Sequence, residues 1–132
     1  MPYRAEIRTS HSGQEAAGST DRLTIRHHRS GTAELAFEQA TGGHLLHLAL
    51  AGCVFNNVIR LAGDRGVRLD DAAVEVDGDF TEDGDSTGIA VEIRLASDAG
   101  AAELGRLKRD AFDVSTVVHV LRKATSVELK GA

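Results

Sequence analysis

The sequence predicts an α+β domain, an antiparallel sheet packed on one long central helix, in the order βββ-α-ββ-αα-β. Three observations carry this. From Leu45 to Ala62, within TGGHLLHLALAGCVFNNVIRLAGDRG (Thr41 to Gly66), the chain is apolar almost all the way round a helix, and a helix with no continuous polar face is normally the buried centre of a domain. The segments on either side alternate apolar and polar residues with the period of half-buried strands. Strands and helices come in separate runs, which makes the domain α+β rather than a parallel α/β sheet.

Taken in order, Tyr3, Ala5 and Ile7 alternate with Arg4, Glu6 and Arg8 and predict the first strand. Ser10 to Asp21 is Gly, Ser, Ala and charge, the composition of a mobile loop. Leu23 and Ile25 mark a second strand and Leu35 and Phe37 a third, with Ser30-Gly31 as the turn between them. These three read as a small antiparallel meander leading into the central helix. Thr41 is placed to cap that helix, Gly42 and Gly43 disfavour an earlier start, and Gly63 can stop it in a left-handed conformation. A membrane span needs roughly 20 predominantly apolar residues. His44, His47, Asn56, Asn57 and Arg60 interrupt this one, so it reads as a core helix.

Beyond it, Val74, Val76 and Phe80 oppose Glu75, Asp77 and Asp79, and Ile89, Val91, Ile93 and Leu95 oppose Ala90, Glu92 and Arg94. These are two strands with one apolar face each, joined by the acidic loop TEDGDST, and that face is expected on the central helix. Ser97 or Asp98 is expected to cap a second helix with Ala101, Leu104, Leu107 and Ala111 inside. Asp113 or a neighbour starts a third, along Val114, Val117, Val118 and Leu121. Val127 and Leu129 predict a last short strand, Ser126 to Lys130.

Length and composition bound the function. The 132 residues suit one domain, 1–132, with a substantial core. A formal net charge of −5 without any basic run argues against a nucleic-acid partner. One cysteine excludes an internal disulfide and favours a reducing compartment. The start, MPYRAEIRTS, has no apolar signal region, so a cytoplasmic location is expected and no membrane partner.

Most motif-based chemistry finds no support. His27 and His28 are adjacent, so in a strand they point to opposite faces. His44 and His47, three apart, lack the further ligand that would complete a metal set and read as surface or helix-end histidines. There is no phosphate-binding glycine loop and no G-x-S-x-G elbow. The acidic stretches Asp77 to Asp85 and Asp70-Asp71 lack calcium-loop spacing and read as solvated turns. Neither metal nor cofactor is expected. Cys53 remains, in the middle of the central helix, with Asn56 and Asn57 at i+3 and i+4 on one face. Together with His44 these make candidate lining for a polar pocket. The plainer reading has Cys53 as a small buried hydrophobe and the amides satisfying nearby backbone. Arg60 is seven residues along, too far to touch Cys53. A reactive thiolate there needs a cation from another segment or another subunit.

The layout from about Ala33 to Leu129 resembles the OsmC/Ohr family, the osmotically inducible and organic-hydroperoxide-resistance proteins. It is sharpest in GGHLLHLALAGCVFNNVIRLAGDRGVRLDDAAVEVDGDF, and STGIAVEIRLASDAGAAELGRLKRDAF resembles the strand and helix that follow. The resemblance implies an α+β fold, two chains intertwined into one dimer around the central helices, and a role in oxidative or osmotic stress. It carries Cys53 onto the cysteine that attacks the peroxide. It carries no second cysteine: AFDVSTVVHVL has none, and Phe112 or a neighbour stands in that place. The place of the family's Glu falls near Gly43, beside His44, so no carboxylate matches it and the peroxidase site is incomplete, and the activating Arg has only Arg4, Arg8, Arg22 and Arg26 as candidates. Two readings follow. One is a thiol-dependent hydroperoxide reductase in which Cys53 acts with an external thiol. The other is a non-catalytic dimeric module holding a small apolar ligand in the interfacial pocket near Cys53.

Overall fold

The computed structural model describes residues 3–9 and 22–131, the side chains of Arg22, Leu23 and Ile25 excepted. The elements are β1 (Ala5–Thr9), β2 (Arg22–His27), β3 (Gly31–Phe37), α1 (Gly42–Asp64), β4 (Asp71–Phe80), β5 (Ser86–Ala96), α2 (Ala101–Asp113) and α3 (Thr116–Lys123). The loop expected over 10–21 lies outside the described residues.

The strands form one antiparallel sheet in the order β2-β3-β1-β4-β5. The opening strands are therefore not a simple meander. β1 lies inside the sheet, with Ile7 opposite Leu35 on one side and Val74 on the other. Its alternation sends Ala5 and Ile7 under α1, where both are buried, and sends Arg4, Glu6 and Arg8 to the opposite face. β4 contributes Val74 and Val76 to the helix side. The outer side carries a charge ladder: Arg94 bridges Glu75 at 3.0 Å and Glu6 at 2.6 Å, and Arg4 Nε lies 2.9 Å from both Glu75 and Asp77. Asp71 and Asp77 thus sit in β4, within reach of Arg8 and Arg4, rather than in solvated turns.

α1 begins earlier and ends later than its glycines suggest. Thr41 Oγ1 accepts the His44 N–H, and this cap starts the helix at Gly42. Gly63 stays helical. The left-handed residue is Gly66, at φ +67°, after Arg65 N–H and Val67 N–H have closed onto the carbonyls of Leu61 and Ala62. Leu50, Ala51, Val54, Phe55 and Val58 fill the space between α1 and the sheet, while Ala111 and Val118 close the core from α2 and α3. By length and composition α1 could cross a bilayer, yet here it packs on β4, β1 and α2.

Two further expectations change. The N-cap of α2 is Gly100 rather than Ser97 or Asp98, and Ser97 Oγ is engaged with the Arg68 carbonyl and the Ala99 N–H. The last strand does not form: residues 124–129 carry no secondary structure, and Val127 and Leu129 are 92% and 83% exposed. A strand requires a ladder partner, and neither edge of this sheet supplies one to that segment.

Leu50, almost fully buried in this core, sets a stability test. Leu50→Asp places an unpaired charge there, a cost on the order of several kcal/mol against a total of roughly 5–15 kcal/mol. The variant should lose its cooperative unfolding transition by circular dichroism. A soluble variant that unfolds cooperatively would show this face to be solvated.

Candidate functional site

Cys53 sits mid-helix on α1, half-buried, facing the junction where α2 ends and α3 begins. Its Sγ accepts a hydrogen bond from Ser115 Oγ at 3.1 Å. Ser115 is fully buried and is the N-cap of α3, its Oγ accepting the Val118 N–H at 3.2 Å. One turn further along α1, the buried Asn57 donates its Nδ2 to the Ala111 carbonyl at 3.1 Å. The two contacts form antiparallel rungs, 53 opposite 115 and 57 opposite 111. Asn57 thereby satisfies a carbonyl near the end of α2, which a helix end buried against α1 requires. Arg65 adds an ion pair to Asp110 at 2.7 Å.

The other pocket candidates lie elsewhere. Asn56 turns toward the β2–β3 turn, where its Oδ1 accepts the Arg29 Nε–H at 2.9 Å. His44 is nine residues before Cys53, about 13 Å along the helix, and is buried against Tyr3 with ring centroids 4.8 Å apart. Its Nδ1 lies 2.5 Å from Thr41 Oγ1. His47 is buried in the same cluster and its Nδ1 is 2.6 Å from the Gly43 carbonyl. A carbonyl only accepts, so Nδ1 of His47 carries the proton. The Nε2 atoms of both rings have no hydrogen-bond partner among the described residues. These two do stand at the N-terminal end of α1, but as interior aromatic side chains rather than surface histidines. Tyr3 and Phe80 pack with them, and a Cβ at Gly78 would overlap the His47 ring. A cavity of about 650 Å³ opens beside them, lined by Tyr3, Thr41, His44, Leu46 and Phe80 among others.

Cation candidates fare no better. Arg4 and Arg8 point to the far side of the sheet from α1, toward Glu75, Asp77 and Asp71. Arg26 is exposed on the edge strand β2, and the Arg22 side chain lies outside the described residues. Ser115 is the only polar partner of Cys53 among the described residues. Leu50, Ile89, Val91, Phe112, Val118, Leu121 and Arg122 line a mostly apolar crevice of about 110 Å³, which neither Cys53 nor Ser115 lines. Phe112, expected with its neighbours at the place of a second cysteine, lies within α2 and under the Arg122 guanidinium at 5.0 Å. Among the described residues no group of three His, Cys, Asp or Glu could hold a metal ion. Ser115 is the residue that sequence reading passed over. Its signal was local, a Ser-Thr ahead of the apolar run VVHVL, the pattern of a helix N-cap.

A sheet laid on one long apolar helix, with a thiol on that helix facing a helix junction, defines an α+β protein of thiol-bearing type. The family model described as OsmC-like protein matches residues 36–130, and the chain belongs to that family. The crystal structure of an OsmC-like hydroperoxide resistance protein from Jannaschia sp. CCS1 is similar in fold, with a TM-score of 0.58 at 15% identity over 98% of this chain and 95% of that one. No curated protein matches the chain.

His27 and His28 do not point to opposite faces, because β2 ends at His27 and the chain turns. Their rings stack at 5.0 Å. His27 also packs edge-on against Phe55, and its Nδ1 accepts the N–H groups of Arg29 and Ser30. Desolvation first, then the charges of His28 and Arg29, holds the His27 imidazole below its ordinary value of 6.5. The unfolded chain therefore takes up this proton at higher pH than the folded one. The contribution to stability is present above 6.5 and is lost as pH falls through the lower folded value. Unfolding midpoints taken above and below that window should fall in wild type, and by less in His27→Gln. Equal losses in the two proteins would remove His27 from the account.

Proposed function

We propose that this protein is a one-cysteine, thiol-dependent hydroperoxide reductase acting on organic hydroperoxides as a homodimer. The observation that carries the reading is the half-buried Cys53 on the central helix of an OsmC-family fold, with a hydroxyl donor 3.1 Å from its sulfur. The name of the structural neighbour, a hydroperoxide resistance protein, points the same way. In the first step Cys53 reacts as its thiolate: the sulfur attacks the terminal peroxide oxygen, the O–O bond breaks, and the departing alkoxide takes up the equivalent of the proton that the thiol gave up and leaves as an alcohol. Cys53 becomes a sulfenic acid. An external thiol then attacks that sulfur, water leaves, and a mixed disulfide forms. A second external thiol releases Cys53 and departs as the oxidised disulfide. The chain has one cysteine, so no internal thiol can replace these two.

The dimer rests on exposed apolar surface. Leu45 and Leu46 on α1 are 44% and 38% exposed, and Val127 and Leu129 sit on a segment with strand alternation and no ladder among the described residues. A second copy is the occupant that would bury both. Sedimentation at micromolar concentration should give twice the monomer mass, and a monomer would remove this part of the proposal.

A second reading is favoured by one observation, that the hydrogen bond to Cys53 among the described residues comes from the neutral Ser115 hydroxyl and not from a cation. It is a non-catalytic dimeric module that holds a small apolar ligand beside the thiol. Thiol loss after adding cumene hydroperoxide separates the two. The reductase reading expects Cys53 to be consumed much faster than a free thiol, turnover only with added thiol, and no activity in Cys53→Ser. That substitution should shift the unfolding midpoint little, because a serine there keeps Ser115 as partner. Oxidation no faster than a model thiol would leave the binding module.

A further inference from the structure

We infer that Ser115 is the donor that holds negative charge on the Cys53 sulfur, and that Asn57 and the α3 cap are what aim it. The inference rests on the reading that Cys53 reacts as an anion. An O–H donated to an ionised acceptor is among the stronger hydrogen bonds available to a protein. A cation is the usual device for a reactive thiolate, and Ser115 is the one polar group in contact with this sulfur among the described residues.

The direction of the proton follows from the bonding. A serine hydroxyl has one proton and two lone pairs. One lone pair takes the Val118 N–H at 3.2 Å, an amide of the first turn of α3 that would otherwise have no partner. The proton is left for Cys53 Sγ at 3.1 Å. The amide polarises the hydroxyl that it binds, so the positive end of α3 acts on the sulfur through one shared oxygen. Ser115 is fully buried, which keeps its hydroxyl out of bulk solvent.

Position is fixed from two sides. Asn57 lies one turn beyond Cys53 and binds the carbonyl of Ala111, four residues before Ser115. This rung sets where α2 ends against α1. The cap then sets where α3 begins, with Val114 bridging the two by its N–H to the Asp110 carbonyl. Ser115 has little freedom to turn away.

Two roles for Ser115 predict opposite signs. As a donor, its loss makes the sulfur less reactive. As a cap alone, its loss loosens the α2–α3 junction, uncovers the thiol and makes it more reactive. The full chain is alkylated with iodoacetamide at fixed near-neutral pH, native and in denaturant, and the native rate is divided by the denatured one. Ser115→Ala should lower that ratio about tenfold or more, and Ser115→Thr, which keeps the hydroxyl, should restore most of it. Glycine is nearly as good an N-cap as serine, so Ser115→Gly carries the test if the alanine variant does not fold. Its ratio should fall equally. An unchanged or increased ratio in a folded Ala or Gly variant overturns the inference. The assay contains no peroxide. A wild type inert to hydroperoxide with a Ser115-dependent ratio would sink the reductase and leave this inference standing.

Discussion

A helix of 23 residues with buried side chains on several sides cannot be satisfied by a sheet alone. β1 and β4 cover one side of α1, through Ile7, Val74 and Val76 against Leu50, Val54 and Val58. What remains needs a second layer, and α2 and α3 provide it through Leu107, Ala111 and Val118. The order of the strands follows from the same demand. β1 and β4 are the strands under the helix, so they lie side by side in the sheet, and the β2–β3 hairpin and β5 are left to extend it outward. The charge ladder of Arg4, Glu6, Glu75 and Arg94 is then the other side of an alternation whose inner side α1 has claimed.

That second layer is also where chemistry enters. α2 and α3 are separate helices because the chain breaks at Val114 and Ser115, and a break buried against a neighbouring helix leaves carbonyls and amides to be satisfied. Asn57 answers one carbonyl and Ser115 answers one amide. A serine that caps by accepting still has a proton to give, and Cys53 lies where that proton goes. The thiol's partner is therefore a by-product of ending one helix and starting another against α1.

How much of this was legible in the sequence depends on whether a residue's role is local. The alternation of β1, β4 and β5 and the apolar run of α1 are local, and each element appears where they indicate. Strand order is not local: nothing in Tyr3 to Arg8 says that Val74 will lie beside Ile7. The same holds for Cys53, Asn56 and Asn57. Their spacing put them on one face, but the partners divide that face, with Ala111 and Ser115 on one flank and Arg29 on the other. His44 and His47 read as surface residues at a helix end, and the end is right; the sequence does not reveal that Tyr3 and Phe80 close over them. Val127 and Leu129 carry a true strand pattern, yet pattern alone supplies no neighbour.

The unburied part of α1 connects its exposed leucines with the thiol. Leu45, Ala49, Cys53, Asn56 and Arg60 follow one another at helical spacing and are the positions the sheet and α2 leave uncovered or half-covered. At the first end the stripe is apolar and exposed. At its middle it is the thiol. Leu46 and Cys53 are about 10 Å apart along the axis, well within the reach of any surface large enough to bury the leucines stably. Association through that face and access to the sulfur are therefore not independent properties of the chain. Under the proposed function, a second copy that removed Leu45 and Leu46 from water would extend toward Cys53 along the same stripe.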